Sequence, residues 1–199
     1  MLHASLQIIR DEHRALASML RSLQMLVAEG PGDQPHRFFD VLRAMLFYID
    51  EFPERLHHPK ESRLLFPKLG RAKPALAQVI RKLEDDHVRG EDRVRALQHL
   101  LLAWELIGEP RRAAFVDAAQ EYVNFYLEHM RTEETQLLPA AEQSLSDTDW
   151  VELDEAFTTD RDPLTLGTHD SGLERLFTRI VLSAPTPIGV GPSLENDRH

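Results

Sequence analysis

One short motif, present twice, brings histidine and glutamate to a spacing that suits metal binding. Residues 57–67 and 129–139 both read His-x-x-x-Glu-x-x-x-Leu-(Phe or Leu)-Pro. On a helix, residues four apart lie one above the other on the same face. A neutral imidazole and a carboxylate placed there can hold one ion together, or the carboxylate can bridge to a second ion. The motif therefore predicts four metal ligands: His57, Glu61, His129 and Glu133.

A lone histidine that follows two acidic residues precedes each copy of the motif. His13 closes the segment Asp-Glu-His 44 residues before His57, and His87 closes Asp-Asp-His 42 residues before His129. The chain up to residue 145 therefore has the pattern of an internal duplication with an offset of about 73 residues. A single His-x-x-x-Glu is more often a surface pair than a metal site. The duplication and the apolar neighbours favour metal, so His13 and His87 join the predicted ligands.

Composition narrows the class of protein. The chain has 199 residues, 42% of them hydrophobic, and a net charge of −10, which argues against nucleic acid or an anionic membrane as the main partner. It has no cysteine, which excludes disulfides, cysteine-ligated zinc and iron–sulfur clusters held by its own thiolates. No apolar run reaches the roughly 18–20 residues of a membrane helix, and the first residues lack the basic segment of a signal peptide. We therefore expect a cytoplasmic protein of one domain, with or without an appendage.

Apolar residues recur at steps of three and four along most of the chain, the spacing of helices with one buried face. Short loops rich in glycine or proline separate these segments, so neighbouring helices should run antiparallel. The pattern predicts an all-α protein: an up-down-up-down four-helix bundle in residues 1–145, a short C-terminal helical extension in residues 146–184 and an irregular tail in residues 185–199. The predicted bundle helices cover residues 4–28, 36–69, 74–107 and 110–138.

Prolines complicate the two helices that carry the motif. Pro53 and Pro59 should each kink or break the second helix, because proline removes a backbone hydrogen bond, and Pro139 should end the fourth helix. The break at Pro59 leaves two neighbouring histidines as candidates. The repeat alignment favours His57 over His58 as the histidine that points inward and binds metal.

One carboxylate in the third helix breaks the symmetry of the duplication. Glu91 lies four residues after His87 on the stripe predicted to face the core, where a carboxylate is costly unless it is paired or bound to metal. The matching position in the first half is Ala17. Glu91 is therefore a seventh predicted ligand, with a water-exposed position at the rim of the bundle as the alternative.

The chain resembles the hemerythrin-like family, also called the HHE cation-binding domain, over about residues 4–140. The resemblance implies a four-helix bundle around two non-haem iron ions, bridged by an oxygen species and two carboxylates. By that resemblance the two glutamates are the bridges, the first two histidines bind one iron and the last two bind the other. It rests on six residues that match in order on four helices: His13, His57, Glu61, His87, His129 and Glu133.

One departure from the family bears on function. The oxygen-carrying hemerythrins have a further histidine four residues after the third-helix histidine, at the position of Glu91. More anionic oxygen ligands favour ferric iron, so this difference argues against easily reversible dioxygen carriage. The resemblance also implies that the iron at His13 and His57, with Ala17 one turn beyond His13, lacks one protein ligand. An open position of this kind marks a reactive metal.

The function implied by the resemblance is a di-iron protein that binds dioxygen, nitric oxide or peroxide, in sensing, storage or stress defence. A di-iron oxidase or peroxidase, or an iron-handling or iron-centre repair protein, would use the same residues. Manganese or zinc in a structural role is a further alternative. The expected partner is a small molecule, with no nucleic acid or membrane. Residues 146–184 are predicted either to cover the bundle or to form a homodimer interface.

Overall fold

The computed structural model describes residues 3–159, 161–166 and 174–184 of the chain. These residues are arranged as helices joined by short turns, and they include no strand. None of the helices in the described ranges combines the length and the apolar character that a membrane span requires. The all-α class predicted from periodicity is therefore confirmed.

Two of the bundle helices are regular α-helices that end at glycine. Helix α1 is Ala4–Glu29, and α3 is Ala77–Ile107, which follows a 3-10 turn at Pro74–Leu76. The residue after each helix has positive φ, 79° at Gly30 and 90° at Gly108. Glycine adopts this conformation without the steric cost that a Cβ would impose, so each glycine ends its helix and starts a tight turn.

Helix α2 is a continuous helical stretch over residues 35–72 in which α and π turns alternate. In a π turn the backbone amide bonds to the carbonyl five residues back rather than four, and such turns are frequent at functional sites. The stretch continues past Gly70, where a turn was expected. Its segments are Pro35–Ile49 (α), Asp50–His57 (π), His58–Lys60 (α), Glu61–Leu65 (π) and Phe66–Ala72 (α).

Helix α4 repeats this plan over residues 112–144, after a 3-10 turn at Glu109–Arg111. A long α segment, Arg112–Thr132, is followed by the π segment Glu133–Leu137 and the α segment Leu138–Ser144. Both π segments that begin at a motif glutamate therefore stand at the same place in the two halves of the duplication.

The π turns explain why prolines do not break α2 or end α4. Proline lacks the N–H that the interior of an α-helix needs, but it is tolerated in a first turn. Pro53 lies inside a π segment, while Pro59 and Pro139 lie in the first turn of an α segment that follows a π segment. The predicted end at Pro139 was wrong, since the helix continues to Ser144. At Pro53 and Pro59 the helix is not severed, but its α pattern is interrupted locally: Pro53 lies in a π segment, and a new α segment begins with Pro59 in its first turn.

The four helices pack in a ring, each against its neighbours in the chain, with α1 also against α4. Apolar side chains fill this ring in two clusters on either side of a polar layer. In α1, Ile9 belongs to one cluster and Leu16 to the other, and the buried His13 lies between them. The same change of cluster occurs along each of the other three helices. The predicted four-helix bundle is confirmed, and its polar layer is enclosed by apolar packing on both sides.

A helix that follows the bundle covers one side of it. Helix α5, Asp147–Thr158, begins with a capping box in which the Ser146 hydroxyl and the Asp149 side chain each pair with the other residue's backbone N–H. It packs on α1. Its buried apolar side chains join the cluster formed by the ends of the bundle helices: Trp150, Leu153 and Phe157.

Two further helices complete the described part of the extension. Helix α6, Pro163–Leu166, contacts α1, and α7, Glu174–Ser183, packs on α2. The described residues after the bundle thus cover the bundle of their own chain. A homodimer through residues 146–184 stays a prediction, and the predicted irregular tail at residues 185–199 lies outside the described residues.

Candidate metal centre

Six of the seven predicted ligands meet in the polar layer of the bundle. Every bundle helix contributes at least one of them, and their side chains are between 0% and 8% exposed. Their ligand atoms form overlapping groups within which all atoms lie no more than 4.8 Å apart. The first group is His13, His57 and Glu61, and the second is Glu61, His87, His129 and Glu133.

Glu61 places one carboxylate oxygen in each half of this cluster. Its Oε1 lies 3.3 Å from His57 Nε2 and 3.9 Å from His13 Nε2. Its Oε2 lies 3.6 Å from His87 Nε2. The two oxygens of one carboxylate are therefore divided between two pairs of histidines, the arrangement that a bridging ligand requires.

Glu133 divides its oxygens in the same way from the opposite side. Its Oε2 lies 3.3 Å from His13 Nε2, and its Oε1 lies 3.2 Å from His129 Nε2 and 3.9 Å from His87 Nε2. Within each pair of histidines the Nε2 atoms are close, 3.3 Å apart in His13 and His57 and 3.1 Å apart in His87 and His129. Two half-sites result, each with two imidazole nitrogens and one oxygen from each glutamate.

The buried carboxylate oxygens fit a pair of cations. Within the described part of the chain, none of the four oxygens of Glu61 and Glu133 has a hydrogen-bond partner, although all four are buried. A buried carboxylate that lacks hydrogen bonds costs several kcal/mol. Protons on the nearby histidines offset part of this cost without metal, and bound cations would take the place of those protons. Imidazole nitrogen and carboxylate oxygen are donors that suit first-row transition metals. The residues present therefore fit two metal ions.

Each of the four histidines turns its second ring nitrogen, Nδ1, towards an oxygen outside the cluster. A metal-binding histidine usually has such a partner, which fixes the tautomer and the orientation of the ring. Three partners lie within hydrogen-bond distance: Glu134 Oε1 at 3.1 Å from His13, Glu12 Oε2 at 2.7 Å from His57 and Ser62 Oγ at 2.8 Å from His87. Asp86 Oδ2 lies 3.6 Å from His129, an ion-pair distance that is too long for a hydrogen bond.

These partners follow the duplication. In each half, the acid just before the first histidine faces the histidine of the motif: Glu12 faces His57, and Asp86 faces His129. Between the halves, the residue just after each motif glutamate faces the first histidine of the other half, which pairs Ser62 with His87 and Glu134 with His13. The repeated Asp-Glu-His and Asp-Asp-His segments were the signal for the first set, but a supporting role could not be assigned to them without the fold.

Glu91 does not reach the cluster. Its side chain is 45% exposed and accepts a hydrogen bond from Arg95. The residue of α3 that faces inward one turn after His87 is Gly90, and a Cβ at Gly90 would lie 1.7 Å from the Tyr126 hydroxyl. The predicted core-facing position of Glu91 was wrong, because the adjacent Gly90 occupies the inward face and makes room for Tyr126.

His58 does reach the cluster. Its side chain is 4% exposed, and its ligand atom lies within 4.8 Å of those of His87 and His129. The repeat alignment favoured His57 over His58 as the histidine that points inward, whereas in the structure both point into the cluster. The side chains of successive residues point about 100° apart around the helix axis. His57 therefore faces one half-site and His58 faces the other.

Burial and charge divide the histidines into two kinds. Burial, together with the neighbouring His57 and His129, lowers the pKa of His58 well below its usual value, and burial likewise lowers the pKa of His87. Burial also opposes a proton on His129, but Glu133 and Asp86 outweigh it and raise the pKa of His129 to about 9. His58 and His87 are thus neutral donors, whereas a cation must displace a proton from His129.

The half-site of His13 and His57 adjoins a cavity of ≈ 10 Å³, room for about one water-sized molecule. Apolar side chains form much of its wall, and polar groups of α1, α2 and the extension complete it. The lining residues are Glu12, His13, Leu16, Phe52, Pro53, Leu56, His57, Lys60 and Asp162.

Comparison with known families agrees with this geometry. The family model of the hemerythrin HHE cation binding domain matches residues 4–141, which include every residue of the cluster. No curated protein sequence matches the chain closely. The match extends over all four bundle helices and more than half of the chain, and the chain belongs to the hemerythrin HHE cation-binding domain family.

Proposed function

We propose that this protein holds two iron ions in the polar layer and binds a small ligand, such as dioxygen, nitric oxide or peroxide, beside His13 and His57. The observation that carries the proposal is the cavity at this half-site, which lies against both histidines. Manganese and zinc accept similar donors and are the alternative metals.

The proposed roles of the residues follow from their contacts. Glu61 and Glu133 bridge the two half-sites, because each directs one oxygen to either side. Glu12 and Glu134 hold the rings of His57 and His13 from behind, and as acceptors they leave the Nε2 lone pair of each ring directed at the metal. Iron, when bound, supplies the ligand-binding and redox chemistry that these side chains lack.

The size and lining of the cavity select the ligand class. A space of ≈ 10 Å³, about one water-sized sphere, suits only the smallest ligands and excludes organic substrates. Leu16, Phe52 and Leu56 give it an apolar wall, which favours dioxygen and nitric oxide over larger polar molecules. The backbone N–H of Asp162 donates to Glu12 Oε1, so the extension lies against this side of the site and limits access from solvent.

Filling the cavity tests the proposal. We expect wild-type protein to bind two iron ions and azide, measured by elemental analysis and by optical titration of the diferric form. Leu16→Phe should occupy the cavity and weaken azide binding at least about tenfold, because the added atoms take the place of the ligand, while both irons remain.

Leu20→Phe is the matched control. Leu20 is a fully buried residue of the same helix that does not line the cavity, so azide binding should be retained. Unchanged azide affinity in Leu16→Phe, or an equal loss in Leu20→Phe, would refute the assigned ligand position. Catalytic consumption of peroxide by the wild-type protein would decide for the oxidase or peroxidase alternative over a sensor or store.

A further inference from the structure

A buried polar group next to the cluster has no role in the six-ligand site. Glu54 lies in α2, four residues before His58, and its side chain is 1% exposed. Its Oε1 accepts hydrogen bonds from the hydroxyls of Tyr122 at 3.0 Å and Tyr126 at 2.6 Å. Its Oε2 lies 3.0 Å from His58 Nδ1. Three polar side chains are thus buried around a single imidazole, which is costly unless that imidazole has a task.

The contacts of His58 repeat those of the other four histidines. In each of the five, Nδ1 is turned to an oxygen outside the cluster, and four of these oxygens belong to carboxylates. The tyrosine hydroxyls both donate to Glu54 and so favour its ionised form, which can only accept. Opposite an ionised Glu54, Nδ1 of His58 carries the proton and Nε2 keeps its lone pair. A ring held in this way is prepared to bind a metal through Nε2. His58 lies stacked on His87 with 4.2 Å between ring centroids, beside the second half-site.

The packing around Glu54 depends on a glycine in α3 beside the second half-site. A Cβ at Gly90 would lie 3.0 Å from Glu54 Oε1 and would overlap Tyr126, so only glycine leaves room for the supporting network. The same network fills the space that a side chain on the inward face of α3 would use. His58 on α2 therefore lies on the side of the half-site where α3 offers no donor beyond His87.

The duplication shows that His58 makes the two half-sites different. Aligning His57 with His129 places Met130 at the position equivalent to His58, and Met130 belongs to the apolar cluster. The half-site of His13 and His57 instead adjoins the cavity. The half-site of His87 and His129 thus has an additional imidazole next to it, whereas the half-site of His13 and His57 has open space.

We propose that His58 is a metal ligand, the third imidazole of the half-site formed by His87 and His129. The metal in that half-site is then held by three histidines and both glutamates, and the metal beside the cavity is held by two histidines and the same glutamates. His58, and not Glu91, is the residue that distinguishes the closed metal from the open one. This inference rests on the two-metal site of the proposed function.

Replacement of His58 by methionine, the residue at the equivalent position of the second half, is the first test. Metal content and azide stoichiometry are measured on iron-loaded protein, with His36→Ala, an exposed histidine in α2, as the control. We expect His58→Met to lose one of its two irons at least about tenfold more readily to a competing chelator and to bind a second azide per chain. Iron retention and one azide per chain, both equal to those of wild type, would overturn the proposal.

A second measurement uses the wild-type protein and does not depend on a variant that folds. In protein loaded with cobalt(II), each metal-bound imidazole contributes one strongly shifted, exchangeable N–H resonance to the proton NMR spectrum. We expect five such resonances in wild type and four in His58→Met. Four in wild type would exclude His58 while leaving the two-metal proposal intact. Wild-type protein that binds fewer than two metal ions would refute both proposals.

Discussion

Replacing Glu61 with glutamine should change the stability of the protein in opposite directions with and without metal. In the metal-free protein, burial and then the neighbouring Glu133 raise the pKa of Glu61, so its ionised form is unfavourable in the folded state. Glutamine has nearly the same shape and no charge. His57 does not lose its only carboxylate, because Glu12 stays 2.7 Å from its Nδ1.

The expected gain follows from the cost of a buried charge. Taking an ion out of water costs several kcal/mol, and the nearby His57 and His13 return part of that cost to Glu61. We take about 1–4 kcal/mol as the net cost that glutamine removes. For a chain of this size, each kcal/mol corresponds to roughly 2–4 °C in melting temperature. We expect metal-free Glu61→Gln to melt about 3–10 °C above metal-free wild type. Because the folded-state pKa is raised, the contribution of Glu61 to stability is lost as the pH rises through that pKa, so the advantage of glutamine should grow with pH.

When metal is bound, wild type should be more stable than Glu61→Gln, the reverse of the metal-free comparison. Glutamine lacks the negative charge that a bridging carboxylate offers to two cations. Because Glu61 reaches both half-sites, we expect the affinity for each of the two ions to fall about 100-fold, which lowers the stabilisation by metal at a fixed free concentration by about 5.4 kcal/mol. The gain of about 1–4 kcal/mol in the metal-free fold offsets part of this loss, so iron-loaded Glu61→Gln should melt roughly 3–18 °C below iron-loaded wild type.

Differential scanning calorimetry with chelator and with iron measures both effects. Glu91→Gln is the control, since Glu91 is half-exposed and pairs with Arg95 outside the cluster; its stability should stay within about 0.5 kcal/mol of wild type in both conditions. Metal-free Glu61→Gln that melts at or below metal-free wild type would refute the argument that the ionised form of Glu61 destabilises the metal-free fold. Loss of iron in Glu91→Gln would restore Glu91 to the ligand set.

Two further predictions concern protons and packing. Nearby carboxylates raise the pKa of His13, His57 and His129 against the effect of burial, His129 to about 9, so metal must displace protons. The apparent affinity for metal, measured in competition with a fixed chelator, should therefore rise at least about tenfold between pH 6 and pH 8. A metal affinity that is independent of pH would contradict this. Gly90→Ala should destabilise the protein by about 1–3 kcal/mol, because its Cβ would overlap the Tyr126 hydroxyl. The control is Gly70→Ala, whose Cβ would meet its nearest neighbour at 3.7 Å and which should be neutral or stabilising by up to about 1 kcal/mol. Equal denaturation midpoints for the two variants would refute the packing argument.

Local periodicity was enough to predict the bundle and the core of the site. The apolar spacing marked four helices close to their observed bounds, and the duplicated motif identified the residues that meet in the polar layer. Both kinds of information depend on relations within one helix, where residues three and four apart share a face. Positions such as Glu61 and Glu133, four residues after a histidine, could therefore be placed before any fold was known.

Tertiary packing decided what lies between helices. Glu12 and Asp86 were visible beside their histidines, but only the packing of α1 on α2, and of α3 on α4, shows that each faces the histidine of the neighbouring helix. Glu91 fits the helical spacing as well as Gly90 does, and the Tyr126 hydroxyl on α4 decided which of the two faces inward. His58 is recognisable as a neighbour of the cluster only once α3 and α4 bring His87 and His129 to it, because the distance between side chains on different helices is set by packing and not by sequence separation.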